Sequence, residues 1–355
     1  MGIETIDKNF ALQKDENTGM EYYSVPNTLF SLYGVSYDEK DGFSRMPIEI
    51  AKRVSDGVAA LTYETSGGRV RFSTDSTRLE IKVRYNALWL MRHMTLVGQG
   101  GFILLEEREQ GRKIVKILPP NFSDEKGYTA SADLYGKGMR NYILYFPLYN
   151  EVKGLEIGID QGAKIADGKK YRDIKPILYY GSSITQGGCA SRPDNCYQAW
   201  IEKRNNIDYI NLGFSGNGKA EDEMVDYLTT IDCSLFVCDY DHNAPDAEYL
   251  EKTHYRLYER YRKIRPNTPI LFLSRPDIWG NGEGERKRER IIHSTYKKAR
   301  ALGDKNVYFI AGRTFYGEFE RESCAVDGCH PNDLGFYLMA QKIYKKMIRI
   351  DEKFK

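Results

Sequence analysis

Apolar and polar residues follow different patterns in the first and second parts of the chain. Between residues 20 and 160 they alternate, most clearly at Leu79, Ile81 and Val83. A period of two places successive side chains on opposite faces and predicts half-buried strands. Turn-forming residues separate these runs, and stretches of helical periodicity are scarce. We therefore predict an antiparallel, all-β sandwich domain over residues 1–170.

From residue 171 onward, short apolar runs alternate with long stretches of helical periodicity. Runs that predict buried parallel strands are Ile177 to Tyr180, Tyr209 to Leu212, Leu235 to Val237, Ile270 to Leu273 and Val307 to Ile310. Amphipathic stretches that predict helices are Asp246 to Arg262, Glu283 to Ala301 and Asp333 to Ile348. This order predicts a flavodoxin-like, three-layer α/β/α domain over residues 171–355. The polar segment DQGAKIADGKKYRDIK is the predicted linker between the two domains.

Charge and hydropathy narrow the classes of partner. The formal net charge is +2, which is too small to steer a polyanion, so we expect no nucleic-acid partner. The basic run Arg286–Arg290 is interspersed with glutamates, a pattern typical of a solvated helix face. No run of about 18 apolar residues occurs, so we expect no membrane association either.

Cysteine usage and the first residues bear on the cellular compartment. The six cysteines all lie in the second half of the chain, with neither a CxxC motif nor the spacing of a zinc site. Reduced thiols, together with the lack of a basic segment followed by an apolar one at the start, predict a cytoplasmic protein. A signal peptide that had been removed would instead make the protein a secreted one. Nothing in the sequence indicates the oligomeric state.

Chemically useful residues follow the predicted strands. Ligands bind at the carboxyl edge of an open parallel sheet, so the loops after the strands are where a site is expected. These loops are Gly181–Gly187 after the first strand, Asn211–Asn217 after the second and Asp239–Asn243 after the third. Asp327 and His330 stand just before the last predicted helix. Together the loops offer a nucleophile, close-approaching backbone N–H groups, an acid and a base.

These blocks resemble those of the SGNH, or GDSL-type, hydrolase family, in which the first block reads Gly-Asp-Ser-Ile/Leu-Thr and the last Asp-x-x-His. The resemblance implies that Ser183 is the nucleophile and that Asp327 and His330 complete a catalytic triad. It also implies an oxyanion hole made by the Ser183 N–H, Gly216 and Asn243. The chain departs from the pattern in two places: a serine replaces the aspartate of the first block, and the third block lacks the common Gly-x-Asn-Asp form.

The amino-terminal part also resembles part of this family. Met94–Phe102 and Gly68–Phe72 are similar to the jelly-roll domain that precedes the catalytic domain in one branch. Members of that branch often carry Gly-x-Asp-Leu-Tyr, and we place the corresponding stretch at Gly101–Leu105, where the signature is lost. The branch looks like carbohydrate esterases that remove O-acetyl groups. The resemblance therefore implies a serine esterase that acts on small acylated saccharides and needs no cofactor.

Other interpretations of these residues remain. Ser183 taken alone could be a helix N-cap, and Ser182 and Ser215 are competing nucleophiles. His242 follows the third strand beside two aspartates, so it is an alternative base. The same residues could be metal ligands, but a lone cluster is weak support and we predict no metal. Trp279 is a candidate sugar platform, with core or rim packing as the alternative.

Two further activities also remain open. One is a lipid or thioester acylhydrolase, which needs an apolar acyl channel. The other is an inactive carbohydrate-binding relative, because the first and third blocks are altered. The absence of a long flexible spacer between Ile159 and Ile177 predicts that the sandwich packs against the catalytic domain and borders its active site.

Overall fold

The structure, a computed structural model, describes residues 19–279, 282–318 and 320–355. Its first part consists of antiparallel strands. These are β1 Met20–Val25, β2 Ser31–Tyr33, β3 Ser36–Asp38, β4 Gly42–Ser44, β5 Arg69–Thr74, β6 Arg78–Arg84, β7 Phe102–Arg108, β8 Gly111–Leu118, β9 Gly127–Asp133, β10 Arg140–Tyr145, β11 Gly154–Asp160 and β12 Ile165–Asp167. One large sheet has the order β1-β11-β6-β9, and the other has the order β12-β5-β10-β7-β8 with β2 also paired to β5. β3 and β4 form a separate two-stranded sheet.

The two sheets enclose a common apolar core. The predicted alternation is confirmed in β6, where Leu79, Ile81 and Val83 are buried. They pack in one cluster with residues of the facing sheet, among them Val70 and Phe72 of β5. The amino-terminal part is thus a sandwich of two antiparallel sheets, because each sheet buries one face against the other.

Short helices interrupt this part of the chain, which the sequence did not lead us to expect. They are α1 Ile48–Val54, α2 Asp56–Leu61 and α3 Leu96–Gly100. Ala51 and Val58 bury their side chains in a core cluster of the second domain rather than in the sandwich. The connection between β4 and β5 therefore reaches across and covers part of the α/β domain.

The second part is a parallel sheet with helices on both faces, as predicted. Its strands are β13 Ile177–Gly181, β14 Tyr209–Gly213, β15 Leu235–Asp239, β16 Ile270–Leu273 and β17 Val307–Ile310. Its helices are α4 Ser183–Gln186, α5 Tyr197–Asn205, α6 Asp222–Thr230, α7 Ala247–Ile264, α8 Glu283–Ala301 and α9 Asp333–Ile350. The strand order is β14-β13-β15-β16-β17, with parallel pairing throughout. This is the flavodoxin-like order, in which the chain changes direction across the sheet at β13.

Alternate residues of the central strand face opposite helix layers. Ile177 and Tyr179 pack in the cluster that includes α5 and α9. Leu178 and Tyr180 pack in the cluster that includes α6, α7 and α8. Both faces are covered, which explains why the strand sequence reads as a continuous apolar run rather than as an alternation. Within the described residues, every helix falls short of the length or the hydropathy that a bilayer span requires.

The segment predicted as a linker is in part a strand. Residues 165–167 form β12, which pairs antiparallel with β5 at the edge of the sandwich. Residues 168–176 then connect β12 to β13. The two parts of the molecule are consequently in close contact, and side chains of β5 reach the second domain: Arg69 donates to Asp208 Oδ1 at 2.5 Å.

Candidate active site

The loop after β13 places two adjacent serines in different environments. Ser182 is the N-cap of α4: its side-chain oxygen accepts a hydrogen bond from the Ile184 N–H at 3.2 Å, and the residue is fully buried. Ser183 is the first residue of the helix and is half-buried. Gly181 makes this tight turn feasible, because a Cβ there would lie 2.2 Å from the Asp239 carbonyl oxygen. The N-cap interpretation therefore applies to Ser182 and leaves the Ser183 hydroxyl available.

Ser183, His330 and Asp327 form a hydrogen-bonded chain. Ser183 Oγ lies 2.8 Å from His330 Nε2, and His330 Nδ1 lies 2.7 Å from Asp327 Oδ2. An ionised carboxylate only accepts, so in the neutral imidazole Nδ1 donates to Asp327 and Nε2 is left to accept the serine proton. This arrangement is that of a nucleophile, a base and the acid that orients the base.

The carboxylate of Asp327 is held in its ionised form. Partial burial alone would raise the pKa, but hydrogen bonds from His330 and Cys329 outweigh it and lower the pKa of Asp327 to about 2. Asp327 Oδ1 accepts from the backbone N–H groups of Cys329 and His330 at 3.0 and 2.8 Å. Two backbone donors and the imidazole therefore fix this side chain, and the three-residue spacing of Asp-x-x-His closes the turn.

The two other residues assigned to the oxyanion hole lie on neighbouring loops. Gly216, after β14, has φ +69°, and a Cβ there would meet no atom within 4 Å. Glycine is thus needed for the backbone conformation rather than for space. Asn243, after β15, donates from Nδ2 to the Phe214 carbonyl at 2.7 Å, which ties the two loops together. Within the described part of the chain the second N–H of that amide has no acceptor, so it can serve another one, and the oxyanion role of both residues stays a prediction.

A buried amide supports the loop that carries Gly216. Gln186 Oε1 accepts from the Ser215 N–H at 2.9 Å, and Gln186 Nε2 donates to Glu64. Burial raises the pKa of Glu64 to about 7, although the charge of Arg45 and the bond from Gln186 lower it. Glu64 belongs to the amino-terminal part of the chain, so the sandwich takes part in positioning this loop.

Two other residues of the amino-terminal part reach the site, and sequence reasoning missed both. Tyr149 Oη donates to the Ser183 carbonyl at 3.1 Å. The His93 ring lies against the His330 ring, with 5.8 Å between centroids. His93 lies in the strand-rich part of the sequence, outside the motifs that predict the site. Only the docking of the two domains brings these residues together, and no spacing in the sequence indicates it.

The alternative base is next to the site but not bonded to the serine. Ser183 Oγ contacts His330, not His242. Burial, and then the charges of Arg275, Arg288 and His330, lower the pKa of His242 to about 3, so this ring is neutral at physiological pH. The geometry favours His330 as the base.

Trp279 lies on the rim of the site. Its side chain is 70% exposed, and a Cβ on Gly328 would lie 3.2 Å from Trp279 Cζ2. The indole is therefore beside the turn that carries Asp327 and His330, with most of its surface in solvent.

None of the six cysteines, each within the described part of the chain, forms a disulfide.

Two family models match consecutive parts of the chain. Residues 174–349 match the GDSL-like lipase/acylhydrolase family. Residues 20–165 match the GxDLY family, described as the N-terminus of SGNH-hydrolase-type esterases. The signature of that name reads Ser131-Ala-Asp-Leu-Tyr135 here, with Asp-Leu-Tyr intact, so our placement of it at Gly101–Leu105 was wrong. A search of the curated proteins finds no match.

Solved structures show the same architecture over nearly the whole chain. A protein assigned as a GDSL-like lipase from Bacteroides ovatus ATCC 8483 is 29% identical, with a TM-score of 0.85, over 93% of this chain and 98% of that one. The salicylyl-acyltransferase SsfX3 from a tetracycline biosynthetic pathway is 16% identical, with a TM-score of 0.77, over 94% and 98%. A family two carbohydrate esterase from Clostridium thermocellum, in complex with cellohexaose, is 14% identical, with a TM-score of 0.64, over 90% and 98%. The last two show the fold alone.

Proposed function

Because residues 174–349 belong to the GDSL-like lipase/acylhydrolase family and follow the amino-terminal domain of SGNH-type esterases, we propose that this protein is a serine esterase. Its proposed reaction is the removal of small acyl groups, in the first place O-acetyl groups, from carbohydrate. The observation that carries the proposal is the chain of two hydrogen bonds, 2.8 Å from Ser183 Oγ to His330 Nε2 and 2.7 Å from His330 Nδ1 to Asp327 Oδ2. Hydrolysis by such a triad needs no cofactor.

The reaction proceeds in two halves. Ser183 Oγ attacks the ester carbonyl while its proton passes to His330 Nε2, and the departing sugar oxygen takes that proton as the C–O bond breaks. A water molecule then loses a proton to His330 and attacks the acyl-enzyme, which releases acetate and returns the proton to Ser183. Asp327 holds the imidazole in the tautomer that accepts at Nε2 and stabilises the imidazolium.

Three N–H groups are proposed to stabilise the oxyanion. As the first residue of α4, Ser183 has a backbone N–H without an intrahelical acceptor. The Gly216 N–H and the second N–H of the Asn243 amide come from the loops that Phe214 and Gln186 hold in place. One such donor contributes about 3 to 4 kcal/mol to the transition state in comparable hydrolases.

Two features support a small acyl group on a saccharide. A Cβ at Gly188 would lie 2.8 Å from Tyr149 Oη and 3.2 Å from His330 Cδ2, so the space next to the base is narrow. Exposed Trp279 offers an aromatic face of the kind that stacks on sugar rings. Structural neighbours described as family two carbohydrate esterases have the same two-part architecture.

The test compares acyl length, linkage and sugar. Purified full-length protein is assayed on p-nitrophenyl acetate, p-nitrophenyl palmitate and an acetyl thioester, and on acetylated xylo-oligosaccharides with release of acetate as the readout. We expect the acetyl ester and the acetylated saccharide to be hydrolysed, with kcat/KM for palmitate at least about 100-fold lower, a difference of about 2.7 kcal/mol. A preference for palmitate or for the thioester would favour the other acylhydrolases, and binding without hydrolysis would favour an inactive relative.

A further inference from the structure

Four side chains with metal-binding donor atoms converge next to Ser183. They are His93, Cys189, Asp327 and His330, and their donor atoms all lie within 4.8 Å of one another. A tetrahedral zinc ion, with bonds of about 2.0 to 2.3 Å, separates its ligand atoms by about 3.3 to 3.8 Å. Side-chain rotations that move each donor by about 1 Å would therefore complete a zinc coordination shell. Among the described residues, this is the one group of three or more histidine, cysteine, aspartate or glutamate side chains whose donor atoms lie this close together.

The donor set is selective for a particular class of metal. Two imidazoles, a thiol and a carboxylate are the ligands of zinc, whereas magnesium and calcium prefer oxygen atoms alone. His93 is exposed and, within the described part of the chain, takes part in no hydrogen bond or ion pair, so its nitrogens are available to an ion from solvent. The cluster is thus accessible to solvent at His93, whereas Cys189 is buried.

Cys189 has an unusual backbone that supports this assignment. Its φ is +74°, in the left-handed region that side chains other than glycine rarely adopt. Such a conformation costs about 1 kcal/mol or more, and conformations of this kind cluster at active sites and ligand-binding sites. The Cys189 side chain is buried, and its sulfur lies within 4.8 Å of the other three donor atoms. Binding of zinc through this sulfur would release the thiol proton to solvent.

We propose that His93, Cys189, Asp327 and His330 form a reversible inhibitory site for zinc. His330 has one ring nitrogen bonded to Asp327 and the other to Ser183. If Nε2 binds the ion, the contact with Ser183 is lost. If Nδ1 binds it, the ring proton moves to Nε2, which can then no longer accept a proton. Metal binding and proton acceptance from Ser183 therefore exclude each other. The inhibitory effect rests on the proposed esterase function, whereas the binding itself does not.

The first experiment measures inhibition. Metal-free full-length protein is assayed on p-nitrophenyl acetate with increasing zinc chloride, followed by EDTA. We expect zinc to reduce activity at least about ten-fold and EDTA to restore it. With each variant compared with its own zinc-free activity, His93→Ala and Cys189→Ser should need at least about ten-fold more zinc for half inhibition. His293→Ala and Cys233→Ser, which change a histidine and a buried cysteine away from the cluster, should be inhibited like the unaltered protein.

The second experiment does not depend on activity. Ser183→Ala keeps all four ligands, so calorimetric titration with zinc should show one ion bound per chain, and Cys189→Ser should weaken that binding. Cobalt chloride should give a thiolate-to-cobalt absorption band that Cys189→Ser lacks. Equal inhibition of the His93→Ala, Cys189→Ser and control variants, or absence of stoichiometric zinc binding to Ser183→Ala, would overturn the proposal. If zinc binds as expected but the protein hydrolyses no ester, the proposed function fails and the metal site stands.

Discussion

Two neighbouring serines illustrate how one residue of a motif can change without loss of its structural role. Ser182 stands where the GDSL pattern has aspartate, and its hydroxyl caps α4 by accepting from the Ile184 N–H. Serine and aspartate are nearly equivalent N-caps, so the substitution leaves the helix start intact. The departure from the first block is therefore compatible with the position of Ser183 against His330.

The buried carboxyl group of Glu64 is expected to make the stability of the protein depend on pH. Its pKa in the folded protein is raised to about 7 by burial, so folding favours the protonated form. The stabilising contribution is fully present below the unfolded pKa, about 4.5, and is lost as pH rises through about 7. Glu64→Gln stays neutral and can still accept a hydrogen bond from Gln186. We therefore expect the Tm of this variant, relative to the unaltered protein, to be higher at pH 8 than at pH 5.

The measurement is thermal unfolding of both proteins at the two pH values, with Glu49→Gln as the control. Glu49 lies in the first turn of α1 with its side chain in solvent, so the corresponding difference should not change with pH. If the difference in Tm between Glu64→Gln and the unaltered protein were the same at pH 5 and pH 8, Glu64 would have an ordinary pKa.

At the scale of elements, β5 belongs to two cores at once. Val70 and Phe72 point into the sandwich, while the alternate residues Arg69 and Arg71 are fully buried on the opposite face. That face is covered by the α/β domain, so each buried arginine has partners there: Arg69 bonds to Asp208, and Arg71 bonds to Asn206. Charged residues on a strand normally indicate a solvent-exposed face, and here they indicate an interface between domains.

The carboxylate of Glu202, on α5, is central to this interface. Arg112 Nη1 and Nη2 bind its two oxygens at 2.5 and 2.6 Å. Burial alone would raise the pKa of Glu202, but Arg112 and Arg71 hold it at about 2. We expect Glu202→Ala to reduce the free energy of unfolding by about 3 to 5 kcal/mol, because it leaves the buried Arg112 and Arg71 with Glu107 as their one shared carboxylate among the described residues.

Urea denaturation of the full chain tests this expectation. Glu49→Ala removes an exposed carboxylate of an i,i+3 ion pair and should leave the midpoint unchanged. A loss of less than about 1 kcal/mol for Glu202→Ala would show that the interface does not depend on this charge.

Sequence periodicity predicted the long elements and missed the short ones. The five parallel strands and the three long helices of the α/β domain lie where their patterns indicated. The helices α1 and α2 have seven and six residues, fewer than two full turns, so no periodic pattern can distinguish them from turns. The strand β12 has three residues and is stabilised by pairing with the edge of β5. A local sequence pattern does not reveal such a pairing.

For the molecule as a whole, chain order was sufficient to locate the proposed triad but not its surroundings. Ser183, Asp327 and His330 follow strands of one sheet, so the topology alone brings their loops to one edge. The contacts of His93, Tyr149 and Glu64 with that edge depend on how the sandwich docks. That docking is set by side chains far apart in sequence, and it brings residues of the amino-terminal domain to the candidate active site.

Covalent labelling of the full chain tests whether Ser183 is the nucleophile of an esterase. A fluorophosphonate reacts only with a serine that its own site activates, and peptide mapping by mass spectrometry locates the adduct. We predict one adduct, on Ser183, formed in parallel with loss of p-nitrophenyl acetate hydrolysis. Ser182→Ala should still be labelled and active, whereas Ser183→Ala and His330→Ala should be neither. An adduct on Ser182 or Ser215, or full esterase activity in Ser183→Ala, would contradict the account.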